Sequence, residues 1–283
     1  MEAKFEPKVR VNLPTILNEV INADVNNFGI NKNRLCNMIF AYYVNHYQEI
    51  VTNDISLKDC HTLQFTLNQE NQDKFMALCD TINLTTKADF FRRMILTYVD
   101  NPQYIREQII FFSSTKLIEE AIRSKRKLKV RYKDEYRIIE PYFIAHSDWE
   151  TRNYVFVYCR SKQRFANYRL AKIHAISVLK NMPWENYSVD YVKGVRNNFD
   201  AFLSYQQTIK VRLDDYGQNM YQNNVTHRPK LISQTDDVFE FECSILKAQL
   251  YFPQFMYHAE IIEPLQLREW FRDNYLKLID LYK

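Results

Sequence analysis

The chain has 283 residues, 46% of them hydrophobic and 25% charged, and a formal net charge of +4. This composition excludes global disorder, and the length allows two or three domains with hydrophobic cores. The longest apolar run, residues 38–44, is too short to span a bilayer, and the N-terminus lacks a signal-peptide core, so we expect a cytoplasmic protein without membrane contact. The five cysteines form no close pair, which predicts neither a disulfide framework nor a zinc site.

The first 100 residues contain one pattern twice, 54 positions apart. In each copy a strand with alternating apolar residues precedes two helical segments. The alternating residues are Val9, Val11 and Leu13, then Leu63, Phe65 and Leu67. Asn31 is the predicted cap of the second helix in the first copy, and Thr85 occupies the matching position in the second. We therefore predict two strand-helix-helix units, at residues 8–47 and 61–100.

A unit of about 40 residues cannot pair its single strand or bury its helices alone. Both units resemble the ribbon-helix-helix family, which implies an intrachain pseudo-dimer pairing residues 8–13 with residues 62–67. In that family the outward ribbon residues enter the DNA major groove. The residues at these positions are Lys8, Arg10, Asn12, Thr62, Gln64 and Thr66. Residues 1–115 have a net charge of −2, so duplex DNA binding and a role only in assembly or protein binding both stay open.

Residues 101–115 are predicted to form a helical connector, and a strongly basic segment follows at residues 116–180. This segment has sixteen Lys and Arg against seven Asp and Glu, a net charge of +9, whereas residues 181–283 have −3. Such asymmetry is typical of a localised nucleic-acid surface. The alternative is a solvated strand face with scattered lysines.

Apolar residues and cations alternate in the first strand of the basic segment, which predicts an outward positive face. Aromatic residues lie among the cations that follow, and proteins combine these two residue types to bind unstacked bases. The predicted nucleic-acid-binding residues of this segment are Lys127, Lys129, Arg131, Arg137, Tyr154, Arg160, Arg164, Tyr168, Arg169 and Lys172.

The order of elements in the basic segment, a helix followed by short strands, resembles the WYL domain of prokaryotic regulators. The matching runs are residues 128–132, 137–142, 153–155 and 168–173. The resemblance covers residues 116–180 and implies an Sm-like β-barrel with a ligand pocket. The chain departs from the family at Asn153-Tyr154-Val155, where the name-giving triplet is Trp-Tyr-Leu, and at Ala171, where an acidic residue is usual.

Residues 181–207 are predicted to be an ordered crossing segment, and residues 208–283 a separate α+β domain. The latter resembles the C-terminal extension that follows many WYL domains. Its final helix carries apolar residues at helical spacing, namely Trp270, Phe271, Tyr275, Leu276, Ile279 and Leu281. Such a stripe near a chain end is either core or the seam of a homodimer, and both interpretations stay open.

Overall we expect an α+β multidomain protein without catalytic residues, cofactor or metal. The three glycines are too far apart for a phosphate-binding loop, and no two histidines lie three or four positions apart. The modules together resemble the WYL accessory proteins encoded beside type VI-D CRISPR effectors. That resemblance implies single-stranded RNA binding and modulation of an RNA-guided effector nuclease.

The alternative function is a DNA-binding transcription factor, with the ribbon on an operator and the WYL barrel as a ligand sensor. A third interpretation, a protein-interaction scaffold without nucleic acid, leaves the +9 charge of residues 116–180 unexplained.

Overall fold

The computed structural model describes residues 7–51, 59–81, 86–147 and 151–283. Within them it shows a mixed α+β chain with a two-stranded, a five-stranded and a four-stranded sheet, all antiparallel. The N-terminal elements are β1 (Lys8–Pro14), α1 (Thr15–Phe28), α2 (Lys32–Tyr43), β2 (Cys60–Thr66), α3 (Gln69–Thr81) and α4 (Lys87–Val99). The predicted order of strand, helix and helix therefore occurs twice.

Strands β1 and β2 pair with each other within the chain. Lys8 lies opposite Thr66, and Pro14 lies opposite Cys60. One face of this ribbon is buried, and it carries Val9, Val11, Leu13, Leu63 and Phe65. The pairing predicted from the repeat is confirmed, because neither strand could bury its apolar face alone.

Each unit has a capped second helix, but the cap in the second unit lies one residue later than the repeat predicts. The Asn31 side chain accepts a hydrogen bond from the Arg34 amide and caps α2, as predicted. In the second unit the cap of α4 is Thr86, which accepts from the Asp89 amide. The predicted cap, Thr85, lies outside the described residues.

A buried ion pair attaches the connector to the N-terminal units. The connector comprises α5 (Gln103–Ile110) and the start of α6 (Phe112–Arg123). Asp24 of α1 is fully buried and accepts hydrogen bonds from Arg106 Nε at 2.7 Å and Nη2 at 3.0 Å. The Tyr98 hydroxyl also donates to Asp24, at 2.7 Å. Helices α1, α4 and α5 thus share one polar contact inside the core.

These contacts predict which fragment can fold. A fragment of residues 1–111 contains both ribbon strands and Arg106, so we expect a folded monomer by circular dichroism and light scattering. A fragment of residues 1–50 has one unpaired strand and should self-associate or fail to fold. A 1–111 fragment that folds only as a dimer would contradict intrachain pairing.

The five-stranded sheet has the order β6-β5-β4-β3-β7. Its strands are β3 (Arg126–Tyr132), β4 (Glu135–Ser147), β5 (Arg152–Cys159), β6 (Arg164–Arg169) and β7 (Ile173–Pro183). In the described part of the chain β6 and β7 do not pair, so the closed barrel implied by the resemblance is not found. The crossing segment lies beside β6 instead, because the Asn167 side chain donates to the carbonyls of Asp200 and Ala201.

The two positions that depart from the WYL pattern, Asn153 and Ala171, both donate hydrogen bonds to Glu107 of α5. Its carboxylate accepts hydrogen bonds from the Asn153 amide at 2.7 Å and side chain at 2.9 Å, and from the Ala171 amide at 3.2 Å. Burial raises the pKa of Glu107, although these hydrogen bonds favour its ionised form. A carboxyl group therefore reaches the backbone of Ala171 from the connector, although residue 171 itself is not acidic.

The C-terminal elements follow α7 (Val189–Asn197) of the crossing segment. They are β8 (Thr208–Leu213), α8 (Asp215–Asn223), β9 (Lys230–Thr235), β10 (Val238–Glu242), α9 (Ile245–Tyr251), β11 (Ala259–Glu263) and α10 (Leu265–Leu281). The sheet order β11-β8-β10-β9 with two crossing helices is a ferredoxin-like arrangement. Its hydrophobic core is separate from the one that joins the N-terminal units to the five-stranded sheet.

Helix α10 packs on this sheet only through its first half. Leu267 and Phe271 are buried, whereas the exposed fractions of Leu276, Ile279 and Leu281 are 55%, 53% and 82%. The interpretation of the whole stripe as core is therefore wrong, because its second half extends past the sheet into solvent.

Candidate nucleic-acid interface

A cavity of about 950 Å³ lies between β6, the crossing segment and α9. We call it the sheet cavity. Four cations line it, namely Lys133, Arg137, Lys162 and Arg164. Six aromatic rings line it as well, those of Tyr132, Tyr158, Phe165, Tyr168, Tyr191 and Phe202. Among the described residues no carboxylate lines this space, so it favours an anionic ligand with flat apolar groups.

Arg137 is fixed in the wall of the sheet cavity. Its guanidinium lies 5.3 Å from the Tyr132 ring centre and 5.6 Å from that of Tyr168, and these two rings stack at 4.0 Å. Its nitrogens donate to the Tyr168 hydroxyl at 2.9 Å and to Glu135 at 2.7 Å. Burial opposes the charge, but these hydrogen bonds raise the pKa of Arg137 above its usual value. Arg137 therefore stays protonated, and the exposed carboxylate of Glu135 pairs with its charge.

The thiol of Cys159, in the same wall, responds to this positive environment. Burial would raise its pKa, yet hydrogen bonds with Ser161 and Tyr168, together with the charge of Arg137, hold the pKa below its usual value.

A second group of cations lies where the N-terminal units meet the sheet. The positive charges of Arg34 of α2, Arg131 of β3 and Lys172 all act on His174, and we call these four residues the junction cluster. Burial and the three positive charges lower the pKa of His174, while Asp134 opposes them. Within the described residues none of the three cations has a carboxylate ion-pair partner. Arg34 belongs to the N-terminal units, so positive charges from both parts of the chain act on His174.

The predicted residues of the basic segment divide by burial. The exposed ones are Lys129, Arg131, Arg160, Arg164 and Lys172. Arg137 and Arg169 are partly buried. Lys127, Tyr154 and Tyr168 are buried.

Lys127 is a correction to the predicted outward face. Its side chain is 1% exposed, and its ammonium lies 2.7 Å from Glu185 and 3.6 Å from Glu140. The pairing of β3 with β7 shifts register between Arg126 and Lys127, so Lys127 and Leu128 both point inward. Lys127 is therefore an internal ion-pair partner and has no free ammonium for a phosphate.

Burial also corrects the predicted stacking residues. Tyr154 is 7% exposed and lies near Phe199, and Tyr168 is 4% exposed beneath Tyr132. Neither ring has a free face for a base. The partly exposed rings of the cavity are those of Tyr158, Phe165, Tyr191 and Phe202. Tyr191 and Phe202 lie beyond the basic segment, and no signal in the sequence connects them with it.

The six predicted ribbon residues lie on one face of β1 and β2. Arg10 Nε donates to Gln64 at 2.9 Å, and the Thr62 hydroxyl donates to Asn12 at 2.9 Å. Arg92 of α4 adds a cation there, since its Nε donates to the Asn12 carbonyl at 3.1 Å. Local sequence patterns did not predict Arg92, because it lies on a helix of the other unit.

The described residues contain no helix that is long and apolar enough to cross a bilayer. They also contain no group of three or more His, Cys, Asp or Glu side chains arranged to hold a metal ion.

Comparison with known proteins identifies part of this architecture. The family model of the WYL domain matches residues 114–178, so the chain contains a WYL domain. A crystal structure described as that of a CRISPR Cas-related protein is similar over 99% of this chain and 95% of its own, with 14% identity and a TM-score of 0.69. The two chains therefore share a fold over nearly their whole length.

A second structure is the proteasome accessory factor B/C (PafBC) of Arthrobacter aurescens. It has 14% identity, covers 95% of this chain and 49% of its own, and has a TM-score of 0.30, which is too low to support an argument. No curated protein matches this chain in sequence.

Proposed function

We propose that this WYL-domain chain is a non-enzymatic regulatory protein that binds single-stranded RNA in the sheet cavity and along the junction cluster. The observation that carries the proposal is the lining of the sheet cavity, where cations and partly exposed aromatic rings face one space. Phosphates pair with the cations, and unstacked bases lie on the rings. A single strand can present both groups to a cavity of this kind, whereas the bases of a duplex stay stacked.

The proposal includes a finer division of the chain. Residues 1–100 form a ribbon-helix-helix pseudo-dimer, residues 101–115 a connector, and residues 116–180 an opened Sm-like sheet. Residues 181–207 cross to a C-terminal domain at residues 208–283. The shared cavity between residues 116–180 and the C-terminal domain supports RNA binding by the two together.

The regulated partner in this proposal is an RNA-guided CRISPR effector nuclease. The full-length similarity in fold to a CRISPR Cas-related protein supports this choice.

The test of the proposed function combines two measurements. Filter binding compares the affinities of the chain for single-stranded RNA and for duplex DNA of the same sequence. A cleavage assay measures the cleavage rate of an effector encoded near this gene, with and without the chain. Tighter binding to duplex DNA, or an unchanged cleavage rate, would reject the proposal.

The ribbon supports a second candidate function, that of a DNA-binding transcription factor with a ligand-sensing WYL domain. Its outward residues form one polar face beside Arg92, and all of them are exposed except Lys8, which is partly buried. Changing Lys8 and Arg10 to Ala should leave single-stranded RNA affinity within about twofold while weakening duplex DNA binding by about tenfold, because two phosphate contacts are lost. Filter binding measures both. Loss of RNA affinity in this variant would place RNA binding on the ribbon and remove the sheet cavity from the proposal, whereas unchanged duplex DNA binding would reject the ribbon as a DNA-binding surface.

We also propose that the chain forms a homodimer through the second half of α10. Leu276 and Ile279 are apolar and more than half exposed, and a second copy would cover both. Changing both to Glu should convert the dimer to a monomer in light scattering, because the change places charges in an apolar seam. Lys277→Glu is the control on the same helix and should stay dimeric. A dimer that persists in the double variant would place the seam elsewhere.

A further inference from the structure

A second cavity, of about 400 Å³, lies between the crossing segment and the C-terminal domain. We call it the hinge cavity. It shares the wall residues Ala201 and Phe202 with the sheet cavity but lies apart from it. Five of its lining side chains are basic or can become positive, and they are His146, Arg196, His227, Arg228 and Lys247. Only one described lining residue, Asp200, is acidic.

The carboxylate of Asp200 is already engaged by other groups. It accepts hydrogen bonds from the Ser204 amide at 3.2 Å and from the Ser204 hydroxyl, and it lies 3.4 Å from the Lys247 ammonium. Arg196 and Arg228 have no carboxylate ion-pair partner among the described residues. Among the described residues, the hinge cavity therefore keeps the positive charges of Arg196 and Arg228 after Lys247 and Asp200 have neutralised each other.

Arg196 and Arg228 are exposed, and the guanidinium group of each lies over an aromatic ring. That of Arg196 lies 4.9 Å from the Phe143 ring centre, and that of Arg228 lies 5.5 Å from that of Tyr221. Each makes a single hydrogen bond to a backbone carbonyl, at 3.5 Å for Arg196 and 3.2 Å for Arg228. A guanidinium has five N–H donors, so most donors of both groups remain available. Oriented forks of this kind match the oxygens of a phosphate.

The backbone of His227 adds a separate observation in the same place. Its φ of 56° lies in the left-handed region, which is uncommon for a residue other than glycine. Its ring packs edge-on against Phe202 at 5.1 Å. Residues held in such conformations cluster at ligand sites, because the surrounding structure must maintain them.

We propose that the hinge cavity binds a phosphate group, with Arg196 and Arg228 donating to its oxygens. These two residues belong to α7 of the crossing segment and to the loop before β9, so the bound group bridges the crossing segment and the C-terminal domain. The volume lies within the range of small-molecule sites. The phosphate belongs either to a free small molecule or to the end of a nucleic-acid strand. This site is distinct from the proposed RNA-binding cavity.

Calorimetry of the full chain with inorganic pyrophosphate tests the site. We expect saturable one-to-one binding, and Arg196→Gln or Arg228→Gln should each weaken it at least about tenfold, since each removes charged donors. Arg272→Gln, at an exposed cation of α10 outside both cavities, is the matched control and should bind as the unchanged chain does. Pyrophosphate should also raise the melting temperature of the unchanged chain but not that of the Arg196→Gln, Arg228→Gln double variant.

Three results would overturn the proposal. They are no saturable binding by the unchanged chain, full binding by a folded double variant, and loss of binding with Arg272→Gln alone. A further comparison separates the two sources of the phosphate. Tighter binding of a 5′-phosphorylated than of a 5′-hydroxyl oligonucleotide, abolished in the double variant, identifies a strand end. Equal binding of the two oligonucleotides beside retained pyrophosphate binding identifies a free small molecule.

Discussion

Changing Lys162 and Arg164 to Glu is expected to reduce single-stranded RNA affinity at least about 100-fold at 0.1 M salt. Both side chains are exposed, line the sheet cavity and have no ion pair in the described part of the chain. In the proposed RNA complex, the substitutions would therefore remove two phosphate contacts and add repulsion without breaking an internal ion pair. The dependence of log affinity on log salt should become less steep by about 1.4, because each single-strand phosphate contact contributes about 0.7.

The control for this prediction has the same change in net charge. Lys230→Glu with Arg272→Glu alters two exposed cations of the C-terminal domain, both of which pair with neighbouring carboxylates. This variant should bind RNA within about threefold of the unchanged chain, because distant surface charges are screened by salt. Equal losses in the two variants would mean that only overall charge matters and would remove the sheet cavity from the proposal.

Changing Asp24 to Ala is expected to lower the free energy of unfolding by about 3–5 kcal/mol. The carboxylate is fully buried, and its removal leaves the guanidinium of Arg106 and the hydroxyl of Tyr98 without their partner. A buried charge without compensation costs more than the pair contributes. Urea unfolding followed by circular dichroism measures the loss.

Two further variants serve as controls for the unfolding free energy of the Asp24→Ala variant. Glu19→Ala changes an exposed carboxylate on the same helix and should alter stability by less than about 0.5 kcal/mol. The Asp24→Ala, Arg106→Ala double variant should be more stable than the Asp24→Ala single variant, because it no longer contains an unpaired guanidinium. A double variant with the summed loss of the two single variants would show that Asp24 and Arg106 do not interact.

Several parts of this protein could be predicted from local patterns. The alternation at Val9, Val11 and Leu13 and its copy 54 residues later determined the paired strands, since a lone half-buried strand must find a partner. The cap at Asn31 followed from side-chain chemistry that acts within three residues. The net charge of residues 116–180 indicated which segment is positive, because charge does not depend on packing.

The direction of individual side chains could not be predicted in the same way. Lys127 fits the outward alternation of β3 in sequence, but a register shift against β7 turns it inward. Tyr154 and Tyr168 are aromatic residues among cations, yet they are buried in the core. A strand pattern gives a period of two and contains no information about a bulge caused by its partner strand.

The sequence by itself determined the repeat, the positive segment and the WYL resemblance, because each depends on residues close together in the chain. Only the tertiary structure decided the two cavities. The sheet cavity combines Tyr132 with Gln249, and the hinge cavity combines His146 with Lys247. The charge of Arg34 likewise acts on His174 together with those of Arg131 and Lys172, although Arg34 lies in another part of the chain. These groups meet because separate elements pack around common cores, and such long-range packing leaves no periodic pattern in the sequence.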